Sequence, residues 1–418
     1  MRVAVVGGGI SGMMAWYLLQ QKHDVTLLEA NDYLGGHTAT VDVEVAGQTY
    51  AIDTGFIVFN DRTYPVFNRF IAELNVPFQH TEMSFSVKNT VQNLEYNGNT
   101  PGSLFAQRRN LLRPSFWFML SDIMRFNKLG KRLLAADDAD LDLSLGDFLL
   151  KHDFGVAIRD NYLMPMGAAI WSAGLADMPA FPVRFFLRFF NNHGLLNIND
   201  RPQWSVIKGG SKRYVEALKA KLGKDSVKLK QQISAISRDD GGVTLTFTDG
   251  RTEHYDKLVL ACHSDQALRL LGDNATEQER AVLGGIAYQK NDVVLHTDTR
   301  LLPKRRRAWA AWNYNLDATV NDRATLTYNM NLLQGITAPV TFCVTLNNTA
   351  AIDPAKILGV YQYDHPVYNH YTLAAQKQRS KINGHNHTYF CGAYWYNGFH
   401  EDGAKSAVDV AALLGVTY

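Results

Sequence analysis

Cysteine is scarce. The chain has three in 418 residues, Cys262, Cys343 and Cys391, too few and too scattered for a disulfide framework or a zinc site. No metal is expected, and a reducing, cytoplasmic setting fits. One-sided charge is missing too: 42 Lys and Arg stand against 40 Asp and Glu, so composition gives no electrostatic case for nucleic acid. No apolar run reaches the ~18 residues that span a bilayer. The chain enters a strand and a glycine turn at once, which does not fit the apolar core of a signal peptide. Repeats and low-complexity segments are absent. A soluble or peripheral protein is the expectation. Hydrophobic residues at 46% and charged residues at 20% predict a sizeable core, and the length predicts two domains.

What is present begins at residue 3. An apolar run, Val3-Ala4-Val5-Val6, leads into Gly7-Gly8-Gly9-Ile10-Ser11-Gly12. A helix-like segment from Met13 to Gln21 follows, then Val25-Thr26-Leu27-Leu28 and Glu29. Strand, G-x-G-x-x-G, helix, strand and acid in this order form a dinucleotide-binding fingerprint. Gly7 permits the tight turn, Gly9 lets the backbone approach a pyrophosphate, and Gly12 lets the helix pack close to the strand. The helix N-terminus offers N–H groups and a positive dipole end to phosphate. Glu29 can accept hydrogen bonds from a ribose.

Further along, Gly35-Gly36-His37 suggests a second backbone-lined passage beside the same ligand. Phe105 to Leu134 and Val183 to Phe190 read as apolar helices edged with basic residues. Each is a core helix with a solvated edge, a dock for an anionic membrane, or the lining of a channel for a long apolar substrate. Gly209-Gly210-Ser211 opens a helix from Lys212 to Lys221. The apolar run Lys257 to Ala261 reads as a central parallel strand, and residues 286–350 alternate as strands do. Lys304-Arg305-Arg306-Arg307 reads as a solvated turn. At the end, Thr388 to Gly392, the aromatic stretch Tyr394-Trp395-Tyr396, and Gly398-Phe399-His400-Glu401-Asp402-Gly403 precede a helix from Ala404 to Leu414. A second strand, glycine turn and helix suits a dinucleotide longer than NAD, with an extra ring system to hold.

Together these residues resemble the FAD-dependent amine oxidase, protoporphyrinogen oxidase and phytoene desaturase superfamily over nearly the whole chain. More narrowly, Asp53-Thr54-Gly55-Phe56-Ile57-Val58-Phe59-Asn60, Ala169-Ile170-Trp171-Ser172 and Gly398 to Gly403 are similar to a bacterial branch associated with modified fatty-acid metabolism. The resemblance implies an α/β fold: a Rossmann-like FAD domain with a β-meander, plus an α+β substrate domain with a helical insertion. The expected boundaries are 1–78, 204–285 and 381–418 for the FAD domain, 79–203 for the helical part and 286–380 for the β-rich part of the substrate domain.

It also implies roles. Gly7, Gly9, Ile10, Ser11 and Gly12 would cradle the pyrophosphate. Glu29 and Ala30 would hold the adenosine ribose. Gly35, Gly36 and His37 would follow the diphosphate and ribityl chain. Thr54, Gly55 and Phe56 would lie near the flavin, Ile233 at the adenine and Gly392 at the diphosphate. Asp402, Gly403 and Ser406 would aim the last helix at the flavin. His37 stands where the family usually has arginine, and Ala393 where it has an acid. No cysteine suits a covalent flavin link, so non-covalent FAD is expected.

The substrate wall is expected to include Trp171, Trp312, Trp395, Tyr396 and Phe399. His193, His365 and above all His400 are candidate bases, and Lys290 is a candidate for holding water at the flavin. Three readings follow. The first is an oxidoreductase that removes hydride from an apolar molecule such as a fatty-acyl chain and passes electrons to oxygen or a quinone, with peripheral membrane contact. The second is an amine oxidase, and the third a non-catalytic FAD protein.

Overall fold

The computed structural model of the chain describes residues 1–223, 226–317 and 325–418. Five parallel strands form its cofactor-side sheet: β1 (Arg2–Val6), β2 (Asp24–Leu28), β3 (Val227–Lys228), β4 (Lys257–Leu260) and β5 (Thr388–Phe390). They lie in the order β3-β2-β1-β4-β5. Stretches 1–78, 204–285 and 381–418 therefore all contribute to one sheet. Val3 to Val6, Leu27, Leu28 and Leu258 to Leu260 are all buried, as expected of strands covered on both faces.

Helix α1 (Ile10–Leu19) is apolar around nearly its whole circumference, with only Tyr17 half-buried. It is buried because a second helix covers it. The long α2 (Pro114–Ala136) and the shorter α3 (Val183–Asn192) belong to the helical part, and α4 (His400–Leu413) is that covering helix. Met13, Met14 and Trp16 share a core with Ala404, Ala407 and Val410. Each large side chain buried there contributes roughly 1.5–3 kcal/mol.

A seven-stranded sheet forms the other half. Its order is Ile357–Pro366, Tyr288–His296, Cys343–Leu346, Leu326–Asn329, Trp312–Leu316, Phe85–Asn89 and Leu94–Asn97. The last two are a hairpin inside the stretch read from sequence as helical. Phe85-Ser86-Val87-Lys88 and Leu94-Glu95-Tyr96-Asn97 alternate apolar and polar residues, a strand signal that the helical reading of this stretch passed over; their polar residues are buried as well. The rest of 79–203 is helical, including α2 and α3.

Gly12 sets the distance between α1 and β1. A Cβ there would lie 1.8 Å from the Gly7 carbonyl oxygen, and backbone on both sides cannot yield. Gly12→Ala is expected to destabilise the fold by about 2–3 kcal/mol, measured as a lowered thermal midpoint with loss of bound flavin.

Candidate active site

One cavity of about 1430 Å³ runs from the carboxyl ends of β1, β2 and β4 to the helical part, where ligands of open α/β sheets bind. Gly7 to Ser11, Glu29, Ala30, Gly35, Gly36 and His37 line one end. Gly8 N donates to Glu29 Oε2 at 2.6 Å, and Asn31 N and Nδ2 donate to Glu29 Oε1 at 2.8 and 2.9 Å. The carboxylate thus shapes its own turn and keeps acceptor capacity for a further donor. Gly35 N donates to the Gly8 carbonyl at 2.8 Å and lays the second glycine pair along the first. Gly9 precedes α1 with no side-chain cap, and a Cβ built on it meets nothing within 4 Å. The cradle is open at that point, beside the free N–H groups of a helix start.

The terminal turn closes the middle of the cavity. Gly392 N donates to Ser406 Oγ at 2.8 Å, whose hydroxyl donates to the Gly403 carbonyl at 2.7 Å. Asp402 accepts from Phe399 N at 2.9 Å. Gly392, Phe399 and His400 line the cavity, whereas Asp402, Gly403, Ser406 and Gly12 are not on its wall. These four act by holding the turns. Thr54, Gly55, Phe56 and Ile233 are on the wall.

His400 stacks on Phe56, with ring centroids 3.6 Å apart, and its Nε2 meets the Tyr214 hydroxyl at 2.8 Å. Burial holds its pKa well below the ordinary histidine value. Close by, His37 lies 5.9 Å from His263 and 5.5 Å from His365. Burial pushes His37 and His263 down to about 4 and His365 to about 3, with mutual repulsion adding to it. The cluster is therefore neutral near pH 7.

Trp171, Trp312 and Phe399 line the cavity as expected from sequence. Trp395 and Tyr396 do not. A 3₁₀ turn over Ala393–Trp395 carries Trp395 into the core beside Tyr394 and under Arg379. Tyr396 turns outward, donating to Asp409 at 2.5 Å and accepting from Lys405 at 2.9 Å. Lys290 also lies off the wall. It is exposed on the strand Tyr288–His296, where its ammonium stays hydrated. His193 is on the wall, with Nδ1–H donating to the Phe189 carbonyl at 3.0 Å.

Other wall residues escaped the sequence reading: His263, Tyr288, Tyr363 and Tyr368; Phe189, also on the wall, lies in the helix read as a possible channel lining. A signal for His263 existed, since it follows the apolar strand Lys257–Leu260 at its carboxyl end. Among the described residues, seven buried polar atoms of wall residues have no partner: His37 Nε2, Asn127 Oδ1, His263 Nδ1, Trp171 Nε1, Trp312 Nε1, Tyr368 Oη and Tyr394 Oη. Such atoms are costly unless a ligand or water meets them.

The family profile described as flavin containing amine oxidoreductase matches residues 10–327, well over half of the chain. The chain belongs to this family. Its members are FAD-dependent oxidoreductases, which excludes the non-catalytic reading. Among solved structures, this oxidoreductase is similar to cyclohexylamine oxidase from Brevibacterium oxydans IH-35A (16% identity, TM-score 0.69, 99% of each chain covered). It is similar to a CLA-producing fatty acid isomerase from P. acnes (17%, 0.69, 99% of each). It is also similar to putrescine oxidase bound to putrescine (14%, 0.68, 99% of each). At these identities the likeness is one of fold. A search of curated proteins found no match.

The residues present fit FAD. The open cradle at Gly9, the bare start of α1, and the unpartnered His37 and His263 would hold its phosphates and ribityl chain. Gln231, Ile233 and Thr248 line the end expected for adenine.

Two outcomes follow. Gly9→Val is expected to leave the protein folded, because space surrounds the new side chain, yet colourless, because that space is the cofactor's. Absorbance and thermal melting of the purified variant check both halves. The second concerns pH. Burial lowers the pKa of His37, His193, His263 and His296 to about 4 and of His365 to about 3, and holds that of His400 well below the ordinary histidine value. Their contribution to stability is present above about pH 6.5 and is lost as pH falls through the lowered values. Burial raises Asp53 and Asp402 to about 6 and Glu401 to about 7, which works the other way, losing stability as pH rises through that range. Six groups outweigh three over similar spans. The thermal midpoint should fall from about pH 7 to about pH 4.5, with a shallower slope in His365→Asn.

Proposed function

We propose that this FAD-dependent oxidoreductase removes hydride from an apolar molecule, a fatty-acyl or related lipid chain, desaturating, isomerising or oxidising it. The observation that carries this reading is the wall beyond the flavin end. It is built from Ile123, Met124, Ile170, Trp171, Trp312 and Phe399, with acids confined to Glu29, Glu82 and Asp364 over the whole cavity. Glu29 is committed to its turn. Glu82 is exposed and accepts from the Ser84 hydroxyl at 2.5 Å. An enclosed ammonium would therefore find few partners, while an alkyl chain would displace water along most of its length.

Arg201 lines the wall and makes no ion pair among the described residues; its Nε donates to the Asn197 carbonyl at 3.2 Å. It would meet the anionic end of such a molecule.

Bound FAD supplies the two-electron acceptor. This chain's residues orient the substrate and exclude water. Trp171 packs edge-on against Phe189 at 5.0 Å, and Phe189 stacks on Phe399 at 5.0 Å, which fixes a rigid aromatic wall. His400 is the candidate base in this reading. It is held in place by Tyr214 but made a weak base by burial, so it suits a reaction in which proton removal follows hydride loss. Oxygen or a quinone would take the electrons onward.

An amine oxidase is the second reading. Half-buried Asp364 and the unpartnered Tyr368 hydroxyl favour it. The solved structures include both kinds of enzyme, so the preference rests on wall chemistry and not on likeness.

The test is anaerobic mixing of the purified holoprotein with fatty acids, phospholipids and amines, followed at the flavin absorbance and by mass spectrometry of the lipid. Acyl lipids should bleach the flavin or be isomerised, and amines should do neither. Bleaching by amines alone overturns the proposal.

A further inference from the structure

The start of α2 and the 3₁₀ turn Arg108–Leu112 before it carry large apolar side chains in water. Leu112 is 89% exposed, Phe118 70%, Trp117 49% and Leu111 45%. Trp117 and Leu111 are joined directly: Trp117 Nε1 donates to the Leu111 carbonyl at 2.9 Å, and the Phe105 ring lies 5.4 Å from that of Trp117; Leu112 and Phe118 flank them in the chain. Val91, 68% exposed, is tied to the same surface. Arg113 donates to the Gln92 carbonyl at 3.1 Å and Arg109 to the Asn93 carbonyl, pinning the turn beside the helix. A contiguous exposed apolar patch of this kind marks an interaction site.

Charge identifies what it meets. Residues 96–136 hold seven basic residues and one acid, Asp122, which pairs with Arg125 at 2.9 Å. The stretch carries +6 in a chain whose total is +2, so the rest of the protein is net negative. On α2 the exposed apolar residues are followed by the exposed Lys128, Lys131 and Arg132. Apolar side chains with an indole among them, flanked by cations, suit the headgroup level of an anionic bilayer.

Position supplies the purpose. Trp117, Leu120 and Met124 lie at helical spacing on one stripe of α2. Leu120 and Met124 line the cavity, and Met124 is 53% exposed. The patch therefore continues into the cavity mouth.

We propose that this face docks on an anionic phospholipid bilayer and sets the cavity mouth against the lipid, so that an acyl chain enters without crossing water. The purpose rests on the acyl-chain reading; the docking does not.

The experiment is sedimentation of the holoprotein with vesicles of phosphatidylcholine alone or with about one-third phosphatidylglycerol. Binding to the anionic vesicles should be at least about tenfold stronger and should weaken in about 0.5 M salt. Leu112→Glu with Phe118→Glu should abolish it, with flavin content and thermal midpoint unchanged. Lys128→Glu with Arg132→Glu should remove the preference for anionic lipid. Equal binding to both vesicles, or undiminished binding by the Leu112/Phe118 variant, overturns the proposal. So does a solution dimer that this variant disperses in the absence of vesicle binding. Reduction by micellar acyl substrate without vesicle binding would sink docking alone. Vesicle binding with no response to any acyl lipid would sink the substrate reading alone.

Discussion

The close approach of α1 and α4 is the constraint on which the site depends. A Cβ on Gly403 would lie 2.7 Å from Ile10 Cγ2 and 2.9 Å from Ser11 Oγ, so only glycine permits this spacing. Ala404, Ala407 and Ala411 continue the small-residue seam, all fully buried. The consequence is that two helices from opposite ends of the chain begin at one cavity. Each helix start has backbone N–H groups without helical partners and a positive dipole end. Ser406 and Asp402 keep the terminal turn from fraying while leaving Gly392 and His400 on the wall. Neither needs to touch a ligand to matter.

This explains what could be read in advance. Glycine spacing encodes close approach directly, so Gly7 to Gly12, Gly35-Gly36 and Gly398 to Gly403 were legible as a cofactor frame. The parallel strands were legible because burial on both faces gives short apolar runs with glycine at their ends. Side-chain direction in irregular backbone was not. Three successive aromatics, Tyr394, Trp395 and Tyr396, look equivalent in sequence, yet the 3₁₀ turn sends Tyr394 to the cavity, Trp395 to the core and Tyr396 to solvent-facing acids and lysine. The hairpin Phe85–Asn97 did carry a signal, the alternation of Phe85-Ser86-Val87-Lys88 and Leu94-Glu95-Tyr96-Asn97, but it is short and lies beside long helical runs. His263 could have been found by the strand-end rule. His365 was singled out as a candidate base, but its place beside His37, like that of Tyr363, depends on the strand Ile357–Pro366 pairing with Tyr288–His296 in a sheet whose order no local pattern reveals.

Helix α2 joins two properties usually kept apart. One stripe lines an enclosed cavity, and its exposed side is apolar and basic. A soluble enzyme with a small polar substrate has no use for Leu112, Phe118 and Val91 in water, since each leaves apolar area that burial would stabilise at roughly 25 cal/mol per Å². Retaining them next to the mouth makes physical sense if the substrate and the surface that delivers it are both apolar.

The cofactor end presents the converse problem, of charge. FAD brings an anionic pyrophosphate, yet the cations on the wall are Arg269, which pairs with Asp265, and Arg201. Glu29 adds a negative charge of its own. Compensation would come from the helix starts and from neutral imidazoles able to donate a proton in a hydrogen bond. His37 and His263 have the unpartnered nitrogens for that role. A neutral donor holds phosphate less strongly than an arginine would, but it can be buried without the desolvation cost of a fixed charge. With His37 in place of arginine, two further imidazoles fit within 6 Å of it, a spacing that permanent cations in so dry a place would not tolerate. The replacement is therefore better understood as a property of the whole cluster than of one residue: His37 can stand there because His263 and His365 are uncharged, and they remain uncharged because all three are buried together.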